Sequence, residues 1–151
     1  MSQIGRGDDS VAVFVLPNGL SVHVRTQQDG DTDRLYLMLH RMPAGVLPSR
    51  VLPVVPPDLD GLQRLRAIDP PSHGALVATI VDKPDEPIVG MARFDRVGVA
   101  DDEAEFVVVV DPAHRGLGIA TVLLGELATL AARRGINRLT GHVPSEDSTV
   151  A

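Results

Sequence analysis

The chain has 151 residues, of which 44% are hydrophobic and 23% charged, and a formal net charge of −6. These figures suit a single soluble globular domain and disfavour a nucleic-acid partner, whose phosphates would repel an acidic surface. Cysteine is absent, so disulfides and thiolate metal sites are excluded, and no apolar run approaches the roughly 20 residues needed to span a bilayer.

No secretory signal precedes the first strand, and the expectation is a cytoplasmic protein without a membrane partner. Residues 1–10 are polar and glycine-containing and are expected to form a flexible end, with 11–151 as the folded domain. Residues 11–16 and 20–25 alternate in polarity on either side of Pro17-Asn18-Gly19, a strong hairpin signal. In the second run Leu20, Val22 and Val24 share a face, so His23 is expected to point outward. Residues 29–33 read as a turn leading into a helix over 34–41, with Leu35, Leu37, Met38 and Met42 inward. The next stretch contains Pro43, Pro48, Pro53, Pro56 and Pro57. Continuous helix is impossible there, and an extended surface loop is expected. A short helix follows over 59–68, with Leu62 and Leu65 inward, and Asp69-Pro70-Pro71 ends it.

Two strands are expected at 75–81 and 88–94, joined by a turn. A third spans 105–110, where Phe106 and four valines are apolar on both alternating faces, as in a strand covered from both sides. Asp111-Pro112 stops it. The next helix is the clearest in the chain. Ala120, Leu123, Leu124, Leu127, Ala128 and Ala131 fall at helical spacing, with Glu126, Thr129 and Arg133 off that face. Arg133 and Arg134 suit its last turn and Gly135 its stop. Its start is unusual. No Ser, Thr, Asp or Asn directly precedes Leu117 as a cap. Glycines stand there instead, and a helix N-terminus with bare amides suits a phosphate. A strand over 136–143 completes a β-α-β crossover. The glycine pattern is not a dinucleotide fingerprint, because Thr121 occupies the place of its third glycine. It is not a P-loop either, since no Gly-Lys-Ser/Thr follows.

The run Val110-Asp111-Pro112-Ala113-His114-Arg115-Gly116-Leu117-Gly118-Ile119-Ala120 resembles the acyl-CoA pyrophosphate loop of the GNAT superfamily of N-acyltransferases. Arg115, Gly118 and Ala120 match that family's Gln/Arg-x-x-Gly-x-Gly/Ala pattern. Val89-Gly90-Met91-Ala92-Arg93-Phe94 resembles its third core strand. The resemblance spans about residues 74–147 and is nearest to the modules of bacterial protein lysine acetyltransferases. It implies an α/β (α+β) fold: a mixed, mostly antiparallel sheet flanked by helices. It implies acetyl-CoA as co-substrate and an amine acceptor, a protein lysine or a small molecule. The backbone of Arg115, Gly116, Leu117, Gly118, Ile119, Ala120 and Thr121 would receive the pyrophosphate. That of Val108, Val109 and Val110 would receive the pantetheine arm. No metal is implied.

Glu105, in Ala104-Glu105-Phe106, resembles the general base of many relatives. A carboxylate partly out of water at the end of an apolar strand suits that task. The alternative is a solvated glutamate beside Asp101, Asp102 and Glu103, and a non-catalytic acyl-CoA-binding or interaction module. His114 stands where relatives have Tyr or Trp, and its packing role is the plainer reading. His73 and His142 lack metal-ligand spacing. After the last strand, the family continues into another helix and a final strand pair. Here Glu146-Asp147 matches the beginning of that segment and the sequence stops. The expectation is a fold lacking its last helix and strands, with three explanations open: a fragment of a longer protein, a truncated acyl-CoA-binding but inactive relative, or an edge covered by a partner segment or a second copy.

Overall fold

The computed structural model describes residues 2–6, 12–43, 45–46, 54–55, 57–58, 63, 66, 73–96 and 102–142. The strands are β1 (Ser2–Arg6), β2 (Ala12–Val15), β3 (Ser21–Thr26), β4 (Gly45–Val46), β5 (Val54–Val55), β6 (His73–Ile80), β7 (Ile88–Arg96), β8 (Glu103–Val110) and β9 (Arg138–His142). The helices are α1 (Thr32–His40) and α2 (Ile119–Arg133). Seven strands form one sheet in the order β1-β2-β3-β6-β7-β8-β9, and β4 pairs with β5 apart from it. Every neighbouring pair in the large sheet is antiparallel except β8 and β9. Those two are parallel because α2 carries the chain across between them. The mixed, mostly antiparallel sheet with a helix on each face is the expected fold class.

Each face has its own core. Under α2, residues Ile119, Leu123 and Leu127 pack on Val24, Leu76, Ala92, Phe94, Val108 and Val110. Under α1, residues Leu35, Met38, Leu39 and Met42 pack on Val77, Met91, Val107 and Val109. Alternate valines of β8 therefore serve opposite cores, which is why its sequence reads as unbroken apolar residues. The hairpin forms as its sequence predicts. Gly19 takes φ 92° and Leu20 donates to the Asn18 side chain at 3.1 Å. The α2 helix ends as expected, with Gly135 donating to Ala132 and Ile136 to Ala131.

Several expectations need correction. Residues 2–6 form a strand paired with β2. Leu37 is 59% exposed and Leu39 is buried in its place, since only positions three or four apart share a helix face. His23 does not face open solvent: α1 covers its side of the sheet, and its Nε2 is buried without a partner among the described residues. The buried face of α2 is turned from the expected one. Val122, Glu126 and Leu130 are inside, whereas Ala128 is exposed. Of the helix expected at 59–68, only Gln63 and Arg66 are described, both helical and exposed. Leu62, Leu65 and residues 143–151 lie outside the described residues.

Gly90 sets the distance between α2 and the sheet. A Cβ there would lie 2.8 Å from Leu123 Cδ1 and 3.2 Å from Ile119 Cγ2. Gly90→Val is expected to push the first turn of α2 outward and lower stability by about 1–3 kcal/mol. Gly90→Ala should cost less, because the end of Leu123 can swing aside. Urea unfolding of both variants tests this, and equal losses would show that the helix spacing is set elsewhere.

Candidate functional site

The site lies along β8 and its continuation into α2. The parallel ladder runs from Glu103 beside Arg138 to Val107 beside His142. Beyond it, Val108, Val109 and Val110 pair with β7 at Ala92, Met91 and Gly90. Their other edge has no pairing partner among the described residues. A strand edge with free amides and carbonyls, buried among valines, can receive an extended polar chain through main-chain hydrogen bonds.

That edge leads into the glycine turn. Gly116 and Gly118 adopt φ values of 78° and 93°, and a Cβ at either would meet nothing within 4 Å. Their left-handed backbone excludes most side chains, and the space in front of them stays open. Gly118 occupies the N-cap position of α2 with no side-chain cap. The first bond of the helix runs from Val122 N–H to the Gly118 carbonyl. The amides of residues 119–121 therefore lack the usual partners at the positive end of the helix dipole. Ile119 is buried beneath the turn, while Ala120 is half-buried and Thr121 exposed. Leu117 packs against the α2-side core. Residues 116–121 thus form one open glycine cradle at a helix start, an arrangement suited to an anion.

The turn has a support that local sequence does not reveal. Asp111 is 3% exposed. Its carboxylate accepts from Arg41 Nε at 3.3 Å and Nη2 at 3.2 Å, from the Ala113 N–H at 3.4 Å and pairs with His114 Nδ1 at 3.1 Å. Burial pushes the Asp111 carboxyl up. The Arg41 hydrogen bond and charge, helped by Ala113 and His114, outweigh burial and hold it below its ordinary value. His114 is thus bonded to a carboxylate rather than merely packed. Arg115 is half-buried, and its Nη2 touches Met42 Sδ at 3.9 Å. The side chain turns toward the end of α1 rather than into solvent.

Glu105 lies elsewhere on the same strand. It is half-buried on the α1 side, in the alternation Glu105, Val107, Val109. Asp95 of β7 and Thr140 of β9 flank it. Diagonally across stands Arg93, buried and bonded through Nε to Asp95 at 3.2 Å. The candidate base and the glycine cradle thus belong to one strand and its continuation, but do not touch. Of the acidic stretch beside it, Asp102 is exposed and Glu103 pairs with Arg138 at 3.4 Å. A shallow depression lined by Ala128, Ala131, Ala132, Gly135, Ile136, Asn137 and Leu139 lies at the other end of α2, away from the glycine turn. Among the described residues no three His, Asp or Glu are placed to hold a metal, and no helix is long and apolar enough to cross a membrane.

The same assembly occurs in known proteins. The profile of the Acetyltransferase (GNAT) family matches residues 44–149. The GNAT domain of S. lividans PAT is 27% identical, over 91% of this chain and 80% of that one, with a TM-score of 0.77. A cAMP-binding acyltransferase from Mycobacterium smegmatis is 25% identical with a TM-score of 0.60. The match covers 91% of this chain but only 39% of that longer protein. A ribosomal-protein-alanine N-acetyltransferase from Brucella melitensis biovar Abortus 2308 shares the fold at 19% identity, over 85% of this chain and 84% of that one, with a TM-score of 0.52. Among curated proteins none matches significantly. By its family profile and by the strand, glycine turn and helix at its centre, the chain belongs to the GNAT family of N-acetyltransferases.

Proposed function

We propose that the chain transfers an acetyl group from acetyl-CoA directly to an amine, with Glu105 as general base and a protein lysine as the first acceptor to try. The observation that carries this reading is the continuity of the site. The buried valine strand β8 runs straight into an open helix N-terminus that has no side-chain cap. The residues present fit acetyl-CoA. Val108, Val109 and Val110 would offer backbone groups to its pantetheine arm, and the amides from Arg115 to Thr121 would receive its pyrophosphate. Bound there, acetyl-CoA would supply a thioester: a neutral amine attacks its carbonyl carbon, the C–S bond breaks, and CoA leaves as a thiolate that takes up the proton shed by the new amide nitrogen. The acceptor arrives as an ammonium, so a base must first remove a proton. Glu105 takes it directly or through a water. The lysine acceptor is taken from the resemblance of residues 74–143 to the modules of bacterial protein lysine acetyltransferases, and the acceptor class rests on that resemblance.

Calorimetric titration with acetyl-CoA tests the reading. Saturable binding is expected for the wild type. In Gly118→Glu it should weaken about tenfold or more, because the new residue strains a left-handed position and brings a carboxylate toward the phosphates. A folded wild-type chain that does not bind acetyl-CoA rules the reading out. Binding without transfer to any amine would favour the non-catalytic acyl-CoA module.

A further inference from the structure

The glycine cradle has little to hold it in shape. Gly116 and Gly118 have no neighbours in front of them, and the helix start has no side-chain cap. A loop of this kind binds well only if something outside it fixes its entry, since ordering it on binding would weaken affinity. The structure contains such a fixture. The run from Asp111 to Arg115 is tied at both ends to two consecutive residues at the end of α1. Arg41 grips the Asp111 carboxylate with two nitrogens, and Arg115 lies against the sulfur of Met42. Asp111 also holds His114 inside the turn, while its own N–H donates to the Val89 carbonyl at 2.8 Å. Met42 in turn belongs to the buried core beneath α1.

We infer that Arg41 and Asp111 form a positioning pair, a latch between α1 and the acyl-CoA turn that presets the amides of residues 116–121. Neither side chain is assigned contact with the acyl donor. The pair acts through His114 and Arg115 on the backbone that follows. The geometry favours a latch over an incidental surface ion pair. The carboxylate is buried, its partner binds through two atoms, and the two residues are 70 apart in sequence. Charge-assisted, two-point bonds of this kind fix orientation as well as distance. The inference rests on the acyl-CoA reading for its purpose, though not for its structural content.

The test uses the whole chain and two measurements, with Arg41→Met, Asp111→Asn, the double variant and Arg41→Lys. Amide hydrogen exchange without ligand should accelerate across residues 112–121 in both single variants. Protection in the β6–β7 ladder should stay at the wild-type level. Acetyl-CoA dissociation constants should rise about tenfold in either single variant, the scale of one charged hydrogen bond. The double variant should be no worse than the singles, because the two residues act as one unit. It leaves no buried unpaired charge, so it remains informative if Arg41→Met folds poorly. Arg41→Lys should recover part of the affinity. Unchanged exchange in the turn overturns the latch whatever the ligand does. Altered exchange with acetyl-CoA affinity within about twofold of wild type overturns its role in binding. A wild-type chain that does not bind acetyl-CoA overturns the acyl-CoA reading and removes the purpose of the latch.

Discussion

Glu105→Gln is expected to lower kcat for acetylation of an amine by about 10²–10⁴-fold, the usual worth of a positioned general base. Acetyl-CoA affinity should change little, because Glu105 lies outside the edge and turn proposed to receive the donor. Gln keeps the size and one acceptor oxygen but cannot take a proton at neutral pH. The change therefore removes the base without opening a hole between Asp95 and Thr140. Once the acceptor loses its proton to solvent instead, the variant's rate should climb about tenfold per pH unit toward a lysine's own pKa near 10.4. The wild-type profile should flatten well below that. A variant whose kcat stays within about threefold of wild type would remove Glu105 from the mechanism. A loss accompanied by equally weakened acetyl-CoA binding would recast it as structural. Steady-state kinetics across pH, with a direct binding titration of each protein, separates these outcomes.

Residue patterns made the middle of the site legible because its logic is local. The valines of β8, the two glycines and the helical repeat of α2 follow one another within thirty residues, and each carries its own periodic or conformational signal. The Asn18-Gly19 hairpin is legible for the same reason. Two kinds of feature were not. The first is helix facing where the contrast is weak. Gly125, Ala128 and Ala132 are exposed on α2, and small residues tolerate water and core alike. They did not mark the outer face, and Glu126, 8% exposed, was assigned to the wrong side. Leu37 shows the same weakness in a nine-residue helix. The second is pairing across long sequence separation. Nothing near Asp111 identifies Arg41, and Asp111 on its own reads as a strand-ending residue before proline. A polar residue in a turn becomes informative only when the fold reveals what reaches it.

Pairing between elements also governs the largest expected effect on stability. Arg25→Met is expected to destabilise the fold by about 3 kcal/mol, the low end for breaking a buried ion pair, because Asp31 loses its two-point partner but keeps Arg34. Asp31, 1% exposed, accepts from Arg25 Nη1 at 2.7 Å and Nη2 at 2.8 Å. It also accepts from Arg34 at 3.0 Å and from the Gln28 N–H at 2.7 Å. Arg34 continues the chain of contacts by donating to the Glu86 carbonyl at 2.8 Å, in a turn where Glu86 holds φ at 41°. One carboxylate thus links β3, the start of α1 and the turn between β6 and β7. Burial alone would raise the Asp31 carboxyl, but Arg25, Gln28 and Arg34 together hold it below the ordinary 3.8. The sign follows from that direction. A folded-state pKa below the unfolded one contributes stability that is complete above the unfolded value and is lost as pH falls through the folded one. Asp111 behaves alike. Urea midpoints should therefore hold steady above pH 5 or so and fall steeply below about pH 4 in the wild type. Asp31→Asn should start lower and fall less steeply over the same interval. Thermal midpoints should drop by roughly 10 °C in Arg25→Met at neutral pH. The double change Arg25→Met with Asp31→Leu should recover part of that, because it removes the under-compensated buried carboxylate at the cost of its bonds to Arg34 and Gln28. A fold that loses as much in the double variant as in the single one would place the importance of this cluster in its shape and not in its electrostatics.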